Sequence, residues 1–171
     1  MQEKRKFNYM NLLLILVFVL GLGILLYPNI SNFFNERNSS KAMGEYDETI
    51  AEMNEKERQA MIEAANQYNR KLAQNYIGRF ADLTPEQLEE YMNTLNVDGN
   101  GMMCYLKIDK LGLSLPVFHG TTEDVLQKYV GHVEGTSLPV GGLGTHAALS
   151  GHRGLPSAVL FTNIDRLEVG D

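Results

Sequence analysis

The side chains able to do acid, base or nucleophilic chemistry gather in the second half of the chain. The segment Gly144-Thr145-His146-Ala147-Ala148-Leu149-Ser150-Gly151-His152-Arg153-Gly154 puts two histidines six residues apart. An even spacing places both on one face of a straight strand, which is the first requirement of a two-histidine metal site. No third ligand is supplied, since Asp165 and the carboxylates of the N-terminal half lie at no metal-binding spacing, so neither a metal nor a cofactor is expected. His119, His132 and His146 read as partly buried histidines satisfied by the backbone. His152 differs in context: glycines on either side let backbone and substrate come close, and the end of a strand is where a rigid β scaffold presents catalytic groups. Cys104, the one cysteine, sits between Met103 and Tyr105 and reads as a small hydrophobe in packing. Asp98 and Asn100 match part of a calcium-binding loop, whose other ligands are missing.

The elements that position these residues change character near residue 100. From Met102 on, short apolar runs alternate with turns: Tyr105–Ile108, Leu115–Phe118 and Thr145–Leu149 read as strands, separated by Lys110-Leu111-Gly112 and by many glycines. Thr122–Tyr129 is one helical insert, with Thr121 or Thr122 as cap and Val125 and Leu126 facing inward. This half reads as a mainly-β barrel or sandwich with open edges, and its last residues, Val169-Gly170-Asp171, read as a turn leading to a further strand.

Before residue 100 the period is helical. Met43, Tyr46, Ile50 and Met53, then Met61, Ala64, Ala65, Tyr68 and Leu72, describe one amphipathic helix or two consecutive ones with Glu55 to Arg58 on the wet side. Thr84-Pro85-Glu86-Gln87 supplies an N-cap, a proline in the first turn and the glutamine of a capping box; Leu88, Tyr91, Met92 and Leu95 give the apolar face, and Asp98-Gly99-Asn100-Gly101 the turn after it. The Met and Tyr stripes read as packing surface.

The N-terminus fixes the compartment. Lys4, Arg5 and Lys6 precede an apolar stretch, Leu12 to Leu26, broken only by Gly21 and Gly23, long enough to cross a bilayer with its flanking aromatics. The next basic residues are Arg37 and Lys41, so the positive-inside bias puts the N-terminus in the cytoplasm and the rest outside. A cleaved signal is the rival reading, but Tyr27-Pro28-Asn29-Ile30-Ser31 offers no A-x-A-like cleavage site, and an all-apolar helix with a basic flank makes a poor core helix. The expected organisation is a cytoplasmic tail at 1–6, a transmembrane anchor at 7–27, an extracellular helical region at 28–100 and a β domain at 101–171. With 15 Lys and Arg against 21 Asp and Glu, a net charge of −6, the chain has no electrostatic footprint for nucleic acid. A single cysteine forbids an internal disulfide.

Several stretches taken together carry a family resemblance. Ile108-Asp109-Lys110-Leu111, Leu115-Pro116-Val117-Phe118-His119-Gly120-Thr121, Val125-Leu126-Gln127-Lys128, Gly131-His132-Val133-Glu134-Gly135-Thr136-Ser137-Leu138-Pro139-Val140-Gly141-Gly142 and Leu149-Ser150-Gly151-His152-Arg153-Gly154 resemble the first half of the catalytic domain of class C, pilin-polymerising sortases. The resemblance runs from Asn100 to Asp171; its class C character rests on Glu134–Pro139 and on Leu155-Pro156-Ser157-Ala158 followed by Leu160-Phe161-Thr162. It implies an α+β protein: an anchor helix, a helical segment and the first half of a mainly-β sortase barrel. It implies a membrane-anchored cysteine transpeptidase of the Gram-positive cell envelope, whose partners are pilins carrying LPXTG-type sorting signals. Such an enzyme cleaves between Thr and Gly, holds the acyl group on a cysteine and passes it to a lysine amine of the next pilin. His152 maps onto the family's catalytic histidine, whereas the family's cysteine and arginine are expected beyond Asp171, so the chain as it stands is expected to be inactive. Cys104 and Arg153 do not occupy those positions. Many class C sortases carry a lid with an Asp-Pro-Phe or Asp-Pro-Trp triplet; Phe80-Ala81-Asp82-Leu83-Thr84-Pro85 fills that region without it, so no anionic plug over His152 is expected. The alternatives are a non-catalytic anchored remnant that at most binds sorting signals, and an unrelated anchored β-domain adhesin.

Overall fold

The computed structural model describes residues 9–74 and 83–171. The expected α+β class holds. Three helices, α1 (Tyr9–Glu52), α2 (Glu55–Gln74) and α3 (Pro85–Asn93), precede strands β1 (Met102–Ile108) and β2 (Leu113–His119), a short helix α4 (Glu123–Leu126), and strands β3 (Val130–His132) and β4 (Leu149–Ser150). Phe80, Ala81 and Asp82, on which the lid expectation turns, lie outside the described residues.

The apolar stretch and the first helical stripe are one element. Helix α1 runs 44 residues and passes through Pro28. Proline costs the helix one hydrogen bond there, which the long flanking turns absorb. Its apolar half is long and hydrophobic enough to cross a membrane and none of that window is buried by the rest of the protein. Beyond it a stripe at helical spacing turns inward, with Ser39 and Ala42 buried. The break between α1 and α2 falls at Met53-Asn54, where Asn54 and Glu57 exchange side-chain-to-backbone bonds of 3.0 and 2.8 Å. That reciprocal pair is a capping box, and it restarts the helix in a new direction.

Helix α3 begins as its sequence dictates. The Thr84 hydroxyl accepts from the Gln87 amide and the Gln87 side chain accepts from the Thr84 amide. The helix closes at Asn93, a turn earlier than the apolar spacing suggests, because Leu95 takes a left-handed conformation at φ 65°. Tyr91 and Leu95 are buried, while Leu88 and Met92 stay exposed. Thr84→Ala removes the bond that the hydroxyl accepts from the Gln87 amide, while the backbone amide at 84 still donates to the Gln87 side chain, and should lower stability by about 1 kcal/mol, read as a shift in the denaturant midpoint with an unchanged slope.

The sheet has the order β1-β2-β3-β4. Strands β1 and β2 form a hairpin through a 3-10 turn at Asp109–Leu111, closed by Gly112 at φ 62°. Pro116 stands in β2 at a level where the parallel pairing to β3, which starts at Val117, has not begun. The strand is still an edge there, where proline is tolerated. Two departures from expectation concern strands. The three-residue β3 is too short for its periodicity to register, and Thr145–Ala148 is irregular; only Leu149 and Ser150 pair, opposite His132 and Gly131. Residues 145–148 are instead held by bonds outside any ladder, from the Ser137 amide to the His146 carbonyl and from the Val133 amide to the Ala148 carbonyl.

Two clusters make the core. One joins Ala65 and Tyr68 of α2, Tyr91 and Leu95, Met103 of β1 and Leu138; the other joins Leu115, Val117, Val130, Ala158 and Leu160. Cys104 packs against both, at the bulge in β1. Asn69, buried on α2, clasps the backbone of Leu138 with both ends of its amide, accepting from the amide at 2.7 Å and donating to the carbonyl at 3.2 Å. The helical segment and the sheet therefore share their first cluster.

Candidate functional site

The loop that follows β4 is built around a close contact. A Cβ placed on Gly151 would lie 2.8 Å from a ring carbon of Phe161, so only glycine lets the ring cover the backbone there. The Phe161 amide donates to the His152 carbonyl at 3.1 Å, and the Gly154 amide donates to the Thr162 hydroxyl at 3.1 Å. Arg153 turns to Asp165 at 3.0 Å, an exposed pair. These contacts fold residues 151–165 into a loop that fixes the backbone of His152. Its side chain is left uncommitted: Nε2 is buried and has no hydrogen-bond partner among the described residues. A buried polar atom without a partner costs on the order of 1–3 kcal/mol; Arg58 Nε shares the feature, and it is the glycine-flanked loop that sets His152 apart.

The other histidines are structural. His119 and His132 meet the expectation of burial with backbone partners. His119 directs Nδ1 to the Gly101 carbonyl and Nε2 to the Thr94 carbonyl, both at 2.9 Å. His132 is fully buried, with Nε2 at 2.9 Å from the Ser137 carbonyl and Nδ1 at 3.0 Å from the Tyr91 hydroxyl. His146 departs from it, with an exposed side chain. Because residues 145–148 are not a strand, the even spacing does not put His146 and His152 on one face. Among the described residues no group of three or more His, Cys, Asp or Glu comes together to hold a metal. Asp98 spends its carboxylate on the Asn100 amide and side chain rather than facing outward as a ligand.

Cys104 is a packed thiol. Burial pushes it up to about 11, so almost none of it is thiolate at neutral pH, and the thiolate is the nucleophilic form.

Tyr91 is the polar centre that the sequence hides. Its hydroxyl accepts from the Gly120 amide at 2.9 Å and reaches both the ring and the carbonyl of His132. Its ring meets His119 edge-on, with centroids 4.9 Å apart. As part of an apolar stripe on α3 it reads as packing; its partners lie 29 and 41 residues away, beyond any local signal. Through the His132 ring, Thr136 Oγ1 and the Ala148 amide, one chain of hydrogen bonds leads from α3 to the start of β4.

Burial lowers the affinity of His132 for a proton, and this sets a pH dependence. Above the pKa of about 6.5 of an unfolded histidine, both states are neutral and the stability is fully present. Below it the unfolded chain takes up a proton that the folded one resists, so stability falls as the pH drops. Unfolding midpoints measured between about pH 8 and 5 should decline, and His132→Gln should flatten that slope; an equal slope in the variant would remove His132 from the account.

The family model for the sortase domain matches residues 106–171. No curated protein sequence matches. Among solved structures, sortase C1 of Streptococcus agalactiae is 41% identical, with a TM-score of 0.72, over 77% of this chain and 67% of that one. The chain belongs to the sortase family, in its class C branch. Sortase C of Streptococcus pneumoniae is 36% identical at a TM-score of 0.64, over 77% of this chain and 65% of that chain. Sortase C-1 of Actinomyces oris is 36% identical at a TM-score of 0.56, over 66% and 63%. The sortase described here thus spans about two thirds of the relatives it matches, and both the sheet and the helices before it take part in the likeness.

Proposed function

We propose that this chain is part of a membrane-anchored cysteine transpeptidase that cleaves LPXTG-type sorting signals between Thr and Gly and joins pilin subunits through lysine isopeptide bonds. The observation that carries the reading is His152: a histidine on a rigid strand-end loop whose Nε2 is buried and uncommitted, at the position that the sortase resemblance gives to the catalytic histidine. The sortase C structure from Streptococcus pneumoniae bears on pilin substrate specificity in that enzyme, which supports pilins as the partners here.

The chemistry asks three things of the site. A thiolate attacks the threonine carbonyl, forming a C–S bond; an acid gives a proton to the glycine amine as the C–N bond breaks; a donor such as an arginine steadies the oxyanion. His152 supplies the second. The nucleophile in this reading is a cysteine other than Cys104, which packing and protonation disqualify. Arg153, tied to Asp165, is not the oxyanion donor.

The apolar half of α1 supports a single-pass anchor, and the basic residues before it support an orientation with the catalytic domain outside the cell. The reading is tested by expressing the full reading frame and incubating it with a peptide bearing an LPXTG-type signal and an amine acceptor. Cleavage after Thr with transfer to the amine is expected. A protein that binds the peptide without cutting it is the non-catalytic alternative.

A further inference from the structure

Helix α1 does not loosen where its apolar run ends. That run stops at Leu26-Tyr27, and Pro28, Ser31, Asn32 and Asn35 are the next positions withdrawn from solvent, at helical spacing. Two of them bind the β domain directly. Asn32 Oδ1 accepts from the Val159 amide at 3.0 Å, and Asn35 Nδ2 donates to the Lys128 carbonyl at 3.1 Å. Higher up, Tyr46 meets Tyr105 of β1 edge to face at 6.0 Å. The β domain is thus clamped along the same continuous helix that carries the apolar run.

The helix rise converts this into a height. Five residues separate Tyr27 from Asn32, about 7.5 Å along the axis. The polar layer on each side of a bilayer's hydrocarbon is about 5–7 Å deep, and any tilt of the helix brings Asn32 lower. The exposed face of the helix at this level is apolar and aromatic, with Ile30, Phe33 and Phe34 each more than half exposed. Aromatic residues of this kind favour the membrane–water boundary. The loop that Asn32 holds, Leu155–Phe161, follows His152 by three residues; Ala158 and Leu160 anchor it in the core, Leu155 and Phe161 pack against them, and Pro156 is its exposed tip.

We propose that the Leu155–Phe161 loop lies against the headgroup layer of the membrane that α1 crosses, so that the His152 loop works at the lipid surface and takes peptides presented there. The proposal rests on the anchor reading of α1 and adds a partner surface to it: phospholipid headgroups, contacted by the loop and flanked by Lys128 and the exposed Arg153. It makes α1 a strut of fixed length that sets the height of the candidate catalytic loop.

The test uses the full chain in phosphatidylcholine nanodiscs, with every native cysteine, Cys104 included, replaced by alanine as background and a fluorophore on one introduced cysteine at a time: Leu14→Cys in the apolar run, Pro156→Cys in the loop, Glu52→Cys at the far end of α1. Nitroxides on the acyl chains should quench the Leu14 label. Headgroup nitroxides should quench the Pro156 label about three-fold or more over the Glu52 label, which stands about 37 Å along the helix from Tyr27. Quenching at Leu14 with Pro156 no better than Glu52 leaves the anchor standing and overturns the apposition. No quenching at Leu14 removes the anchor and the apposition with it. Ser157→Cys repeats the loop measurement should Pro156→Cys disturb the fold, as circular dichroism would show.

Discussion

In the full-length enzyme His152→Ala should lower the rate of signal-peptide cleavage by a factor of about 10² to 10⁴, the usual contribution of a positioned proton donor. The loss should fall on the acylation step, because the glycine amine is a poor leaving group until it is protonated. Folding should be spared. Among the described residues the buried Nε2 of His152 makes no hydrogen bond, and the loop is held by backbone groups that alanine retains: the His152 carbonyl, which accepts from Phe161, and the Gly154 amide. His146→Ala is the matched control, an exposed histidine six residues earlier, and should leave the rate within about two-fold of the parent. Cleavage undiminished in His152→Ala would sink the catalytic assignment while leaving the family untouched.

Gly131→Ala should be the most damaging single methyl group in the described structure. Its Cβ would stand 2.3 Å from the backbone carbonyl oxygen of Gly120 and 3.2 Å from a Leu126 methyl. A flexible side chain could step aside; the carbonyl cannot without moving the end of β2, whose Phe118 pairs with Gly131 and whose neighbour Gly120 donates its amide to Tyr91. Overpacking of this kind costs about 1–3 kcal/mol and more when backbone must shift. At about 2–4 °C per kcal/mol for a chain of this size, the Tm should drop by roughly 2–12 °C, toward the upper end because backbone must move. Gly135→Ala is the comparison, a positive-φ glycine with open space around it, where backbone strain of about 1–2 kcal/mol is the whole cost. Equal melting points for the two variants would contradict the account.

What could be read in the sequence was what local chemistry decides. Thr84-Pro85-Glu86-Gln87 carries its own start signal, and Asp98-Gly99-Asn100-Gly101 its own turn, so both appear where expected. The Tyr105–Ile108 and Leu115–Phe118 runs are strands because each is long enough to alternate and is joined to the other by a local turn. The failures are non-local. Pro28 reads as the end of a segment, yet α1 continues because its next turns find a surface to pack on, and that surface is more than 90 residues away at Lys128 and Val159. Strand β3 exists because β2 and β4 flank it, not because three residues specify it. Thr145–Ala148 has strand-like composition, but its hydrogen bonds go to a turn and a threonine hydroxyl instead of a neighbouring strand. At the candidate site, the type and neighbours of His152 were visible, while the ring of Phe161 over Gly151 and the hydroxyl of Tyr91 between His132 and the Gly120 amide needed the fold.

Cys104 gives the protein a property beyond its packing. One side chain wedged at the bulge of β1 touches the cluster built on α2 and α3 and the cluster built on the sheet, so neither can open without exposing a face of the other. A contact shared between two clusters couples their opening, so loosening one removes part of what holds the other. A lesion at Cys104 should therefore loosen both the helical arm and the sheet, however remote it is from His152.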